Sequence, residues 1–220
     1  MIDRITSCWN RIDAIIRIRI MGCNQSNENR FPGHSLSADR SPVGPSESKV
    51  VLLGDCGVGK SSIALRFVQQ KFSSTHHATI GAAFASKDVS VKIPGSSHQS
   101  REAVVRLQIW DTAGEEKYRS MTRFYFRNTN VGILVYDVTD ESSFTNVRSW
   151  EQDLLEHCPD AKIVVVGNKV DLADAGERAV SMRNARQWCE EQGHRHIECS
   201  AKSGANVNDI FRLAALLCAA

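Results

Sequence analysis

The sequence predicts an α/β domain whose largely parallel sheet is covered on both faces by helices. Two observations carry that prediction. Short β-branched runs alternate with stretches of helical periodicity, as strands buried between crossover helices require. At the first such junction stands the glycine-rich octet GDCGVGKS (54–61), between a strand-like run and a helix-like one. The 220 residues suffice for one globular domain with a tail, and 42% hydrophobic against 24% charged residues supports a sizeable core.

The elements follow in order. KVVLLG (49–54) reads as a strand and SIALRFVQQ (62–70) as the helix after it; VVRLQIW (104–110) is a further strand. VGILVYDV (131–138) leads into SSFTNVRSWEQDLLEH (142–157). Within it Phe144, Val147, Trp150 and Leu154 recur at three- and four-residue spacing, a core-facing stripe that needs no functional reading. AKIVVVGNK (161–169) precedes VSMRNARQWCEEQ (180–192), and HIECS (196–200) precedes NVNDIFRLAALL (206–217).

Upstream of residue 49 the composition changes. Residues 21–48 are rich in Gly, Ser, Asn and Pro and read as a disordered tether. Residues 1–20 combine isoleucines with four arginines. They read as an upstream extension, in preference to a helix on a membrane surface or a transit peptide, which Asp3 and Asp13 oppose. The globular domain is expected over 49–220.

Composition excludes several classes. Lys+Arg 27 against Asp+Glu 25 leaves a formal +2, too balanced for nucleic-acid binding. The seven cysteines form no C-x-x-C pair and no Cys/His cluster, which argues against a disulfide framework or a zinc site. No apolar run reaches the ~18 residues needed to span a bilayer, so membrane association would have to come from lipid or from a partner.

Four segments carry chemistry. The octet matches G-x-x-x-x-G-K-[ST] in its strand–helix context, where the backbone of Asp55, Cys56, Gly57, Val58 and Gly59, continuing through Lys60, Ser61 and Ser62, can curl round phosphate oxygens. Lys60 would neutralise β/γ-phosphate charge and Ser61 would ligate Mg2+. Asp111-Thr112-Ala113-Gly114 ends a strand, so Asp111 can hold Mg2+ through water and Gly114 can approach the γ-phosphate. Thr79 would complete the metal shell. These contacts exist only with a triphosphate, so both loops are expected to loosen after hydrolysis. Asn168-Lys169-Val170-Asp171 selects the base: Asp171 can accept both N–H donors of guanine's Watson–Crick edge, and Lys169 can lay its stem over the ring. Ser200-Ala201-Lys202 offers a backbone N–H to guanine O6, and Phe72 is placed to pack edge-on to the base. An ATPase or kinase is disfavoured by NKVD and SAK together.

GDCGVGKS, TIG (79–81), WDTAG (110–114), NKVD and SAK, in this order and spacing, resemble the Ras-superfamily small GTPases. IGAAF (80–84), LQIWDTAG and YDVTDESSF resemble the Rab branch, and IGAAF its endosomal subgroup. The resemblance spans 49–217. It implies a small G domain of the P-loop NTPase type, with a six-stranded sheet holding one antiparallel strand. It also implies GTP and GDP as ligands with Mg2+, and work in vesicle traffic with exchange factors, GTPase-activating proteins, an extraction chaperone and effectors. Phe84, Trp110 and Tyr125, with Ile80, match the positions through which that subgroup meets effectors. Lys60, Gly114 and residue 115 would form the catalytic set.

The chain departs from the family in several places. Residue 115 is Glu115 where the family has the glutamine that orients the attacking water, and an ionised glutamate only accepts hydrogen bonds. The alternative reading is therefore a constitutively GTP-loaded scaffold with little turnover. Cys56 stands where the subgroup usually has serine, read as a tolerated small residue ahead of a redox sensor. Residues 93–103 lengthen a hairpin into a surface loop, and His76 and His77 are expected to be solvated. Cys218, third from the end, misses the C-a-a-X prenylation pattern and is expected to face the core. Met21-Gly22-Cys23-Asn24-Gln25-Ser26 fits the myristoylation pattern M-G-x-x-x-[ST]. With Met21 as the working start, myristate on Gly22 and palmitate on Cys23 would supply the two lipids that stable anchoring needs. The expected location is the cytoplasmic face of endosomal membranes, with a cytosolic pool.

Overall fold

The computed structural model describes residues 45–74, 79, 81–93, 101–114 and 123–219. Gly22, Cys23, His76, His77, Ile80 and Glu115 lie outside the described residues. Six strands form one sheet: β1 Ser46–Leu53, β2 Ala82–Ile93, β3 Arg101–Thr112, β4 Val131–Asp137, β5 Lys162–Asn168 and β6 Arg195–Glu198. Their spatial order is β2-β3-β1-β4-β5-β6; β2 runs antiparallel to β3 and every other pair is parallel. The mostly parallel sheet with one antiparallel strand is therefore the observed fold.

The core follows from period-two alternation in strands covered on both faces. On β1, Val50 and Leu52 join one apolar cluster and Val51 and Leu53 the other. Helix α1 (Lys60–Gln69) and helix α4 (Val207–Ala219) cover the first face, with Phe67 stacked on Phe211 at 3.9 Å between ring centroids. Helix α2 (Glu141–His157) and helix α3 (Met182–Glu191) cover the second. The α2 stripe behaves as its spacing predicts: Val147, Trp150 and Leu154 are buried, and Phe144 packs against them. Cys218 packs against the first cluster, as expected.

Two boundaries differ from the sequence reading. Strand β1 begins at Ser46 rather than Lys49, because Ser46, Glu47 and Ser48 extend the parallel ladder opposite Val105, Arg106 and Leu107 of β3. Those three polar residues lack the apolar run that marks a strand, but backbone pairing does not need one. Likewise Ile93 and residues 101–103, expected in a loop, pair in the β2–β3 hairpin, where Ile93 faces Arg101. The intervening residues lie outside the described part.

Candidate functional site

In an open parallel sheet the loops after the strands' carboxyl ends share one edge, where ligands bind. GDCGVGKS follows β1, Gly114 follows β3, Lys169 follows β5 and Ser200 follows β6. The topology therefore collects four segments spread over about 150 residues of sequence.

Helix α1 begins unlike its neighbours. Asp140 caps α2 by accepting from the Ser142 backbone N–H at 2.9 Å, and Ser181 accepts from Asn184 at the start of α3. At α1 the N-cap is Gly59, left-handed at φ 98°, with no side-chain cap. A first turn without a side-chain cap leaves donors at the positive end of the helix dipole, an arrangement suited to phosphate. A side chain at Gly59 would collide with the Asn168 amide, so glycine is required there sterically as well.

Lys60 is only 5% exposed, and its Nζ donates to the carbonyls of Gly54 at 2.7 Å and Asp55 at 2.8 Å. Burial lowers its pKa to about 8, against the opposing pull of Asp111 and other nearby groups. Gly114 closes on the same spot: a Cβ there would fall 2.5 Å from the Asp55 carbonyl oxygen and clash with Lys60 Nζ. Thr112 Oγ1 donates to the Leu52 carbonyl at 2.7 Å, and Ala113 N–H donates to Gly81 at 2.8 Å. These bonds fix the loop after β3 to β1 and to the segment that follows Thr79.

Asp111 is 2% exposed, and neither carboxylate oxygen has a well-formed hydrogen bond among the described residues. Burial pushes its carboxyl up to about 6, opposed by the nearby Ser61 hydroxyl and the Lys60 ammonium. A buried carboxylate without such a partner is costly unless something satisfies it. The hydroxyls of Ser61 and Thr79 lie 2.9 Å apart beside it. This set of hard oxygens suits Mg2+, which characteristically takes few protein ligands and completes its shell with water and phosphate.

At the ends of β5 and β6, Asn168 joins three loops. Its Nδ2 donates to the Val58 carbonyl at 2.9 Å, while its Oδ1 accepts from the Ala201 N–H at 3.1 Å and the Cys199 thiol at 3.5 Å. Lys169 adopts the left-handed region at φ 69° and pairs with Asp137. Asp171 accepts from the Ser200 hydroxyl at 2.6 Å and lies 3.8 Å from Lys202 Nζ. Arg66, from α1, donates Nε to the Ala201 carbonyl at 2.9 Å and Nη2 to that of Lys202. Its guanidinium also lies 5.9 Å from the centre of the Phe72 ring, which packs against the first core cluster. The side chains at Asp55, Cys56 and Ser62 do different things: Cys56 is exposed, Ser62 is buried and Asp55 turns toward α2.

Sequence reading missed Arg66, Asp137, Asn146 and Trp150. An aspartate ending the apolar run VGILVYD was a usable signal for Asp137. Nothing local marks the others, whose partners are remote in sequence.

Phe84, Trp110 and Tyr125 do come together. Phe84 and Trp110 face one another across the β2–β3 ladder at 5.2 Å, edge to face, and Tyr125 lies 5.4 Å beyond. Lys49 Nζ sits 5.1 Å from the Trp110 ring centre. Beside Tyr125, Phe124 is 83% exposed.

Residues 49–219 match the family described as Ras family. The GTP-binding protein YPT52 of Saccharomyces cerevisiae is 40% identical over 184 residues, covering 74% of this chain and 78% of that protein. Ras-related protein Rab5 of Nicotiana tabacum is 43% identical over 165 residues, covering 74% and 77%. Ras-related protein RABF2b of Arabidopsis thaliana is 41% identical, with the same coverage. The chain belongs to the Ras family of small GTPases, in the endosomal subgroup of its Rab branch.

Proposed function

We propose that this Rab GTPase regulates endosomal traffic as a Mg2+-dependent timed switch, with the residues in the following roles. The backbone from Asp55 to Ser62 cradles the phosphates, and Lys60 supplies positive charge at the β- and γ-phosphates. Ser61 and Thr79 would hold Mg2+, with Asp111 reaching it through water. The bound ion would neutralise charge developing on the transferred phosphoryl group. Gly114 approaches the γ-phosphate. Asn168, Lys169, Asp171, Ser200, Ala201 and Lys202 read guanine, with Phe72 against its edge. The single observation that carries this reading is the buried Asp111 carboxylate, without a good hydrogen bond among the described residues and beside the Ser61–Thr79 hydroxyl pair. Competition for a bound fluorescent GDP analogue tests it. GTP should displace the probe where ATP does not, and chelating Mg2+ should accelerate release; equal displacement by ATP would overturn the assignment.

Ile80, Phe84, Trp110 and Tyr125 form the face offered to effectors when GTP is bound, with exchange factors and GTPase-activating proteins setting the cycle. The scaffold alternative gains no support from the fold or the family, and Glu115, on which it rested, lies outside the described residues. Glu115 should alter activator-stimulated hydrolysis more than nucleotide affinity, because it replaces a group that both donates and accepts with one that only accepts. Single-turnover rates of wild type and Glu115→Gln, with and without an activator, decide this; equal rates throughout overturn it.

Among the described residues no helix is long and apolar enough to cross a membrane. Lipid on Gly22 and Cys23 is the proposed anchor, supported by the MGCNQS pattern and the polar stretch after it. Intact-mass analysis of the native protein tests it: acyl mass on a chain beginning at Gly22 is expected, and an unmodified chain carrying residues 1–20 overturns it.

A further inference from the structure

The second residue of the phosphate loop is an aspartate, which raises an electrostatic problem. A free carboxylate at that place would sit beside a polyanion. Asp55 instead turns its side chain toward α2, where both oxygens are taken: Oδ1 accepts from Trp150 Nε1 and Oδ2 from Asn146 Nδ2, each at 2.8 Å. The two donors stand four residues apart on one helix face. Trp150 is 2% exposed and wedged into the second core cluster, so its N–H is a fixed point, whereas Asn146 is exposed. The backbone of the same residue does a second job, since the Asp55 carbonyl accepts from Lys60 Nζ at 2.8 Å and abuts Gly114.

We propose that Asn146 and Trp150 are positioning residues for nucleotide binding that act through Asp55. By pinning the carboxylate outward they keep its charge off the phosphates, and they hold in place the carbonyl that anchors Lys60. Loss of the clamp frees the carboxylate to swing toward the ligand and releases one of the two carbonyl anchors of the lysine. Trp150 thus serves both the core and the site, through the two ends of one indole.

This inference rests on the octet's being the nucleotide site, so GDP binding by the wild type is measured first. A wild type that fails to bind GDP overturns that reading and the inference with it; a wild type that binds GDP, with variants that release it no faster, overturns the inference alone. GDP release is then followed for Trp150→Phe, which keeps the ring and deletes the N–H, for Asn146→Ala, and for Asp55→Ala. We expect release on the order of tenfold faster for Trp150→Phe and several-fold faster for Asn146→Ala, the scale of a lost hydrogen bond to a charged group. On the Asp55→Ala background Trp150→Phe should add nothing, because the group it acts through is gone. The indole 1H–15N resonance of Trp150 should move in Asp55→Ala. Should the core variant unfold, Asn146→Ala, at an exposed position, carries the test with the same non-additivity. Wild-type release from both α2 variants overturns the proposal. So does strict additivity with Asp55→Ala, which would mark Trp150 as packing only.

Discussion

The Asn168 side-chain amide donates to the Val58 carbonyl at 2.9 Å, so the end of β5 is bonded directly to the phosphate loop 110 residues earlier. Its other end takes the Ala201 N–H, so one buried side chain sets the spacing between the phosphate loop and the loops that follow β5 and β6. Asn168→Ala leaves the Ala201 N–H and the Val58 carbonyl without this partner. The expected cost is about 2–3 kcal/mol. GDP release and the thermal midpoint should both report it, release accelerating at least tenfold; a wild-type release rate would contradict this role.

Arg66 ties α1 to the SAK loop by donating to two successive carbonyls, Ala201 and Lys202, while it also faces Phe72. A lysine cannot reproduce that planar fork. Arg66→Lys should therefore cost about 1–2 kcal/mol of stability by denaturant unfolding. It should also speed GDP release several-fold, with no change in the hydrolysis rate of bound GTP.

Gly114 tolerates no side chain against Asp55 and Lys60. In Gly114→Ala the loop after β3 must retreat, and the γ-phosphate contact proposed for it is lost. Single-turnover GTP hydrolysis should fall by at least about tenfold, since removing one positioned donor costs that much or more. The fold should survive, because Gly114 lies beyond Thr112, the last residue of the β2–β3 ladder.

His196 gives a pH signature away from the nucleotide. Its ring lies 3.0 Å from the Tyr136 hydroxyl, and burial lowers its pKa below the usual 6.5, with Glu198 opposing and Arg186 and Arg178 assisting. The folded state thus holds the neutral ring longer than the unfolded chain does. The stabilisation is fully present above pH 6.5 and is lost as pH falls through the lowered folded-state value. Unfolding curves between pH 7.5 and 5 should show stability dropping in the wild type and dropping less in His196→Gln. A parallel drop in both would assign the slope to other groups.

Much of the fold was legible because its signals are local. Apolar runs such as KVVLLG and KIVVVG needed only their neighbours to be read as buried strands, and the α2 stripe needed only its spacing. The polar start of β1 and the Arg101 end of β3 were not legible. Their strand character comes from ladder bonds to a distant partner, which leave no apolar mark on either sequence.

The sequence by itself determined what kind of ligand this protein holds, since phosphate cradling and guanine reading each need a few residue types at fixed short spacings. Tertiary structure alone decided which side chains hold those loops to one another. The Asp55 clamp spans 91 and 95 residues, and the Asn168 and Arg66 bonds span 110 and 135. Such partners are chosen by the crossovers between parallel strands that bring these loops to one edge of the sheet. No periodicity along the chain encodes them, so a tryptophan that reads as simple core also proved to hold the phosphate loop's aspartate.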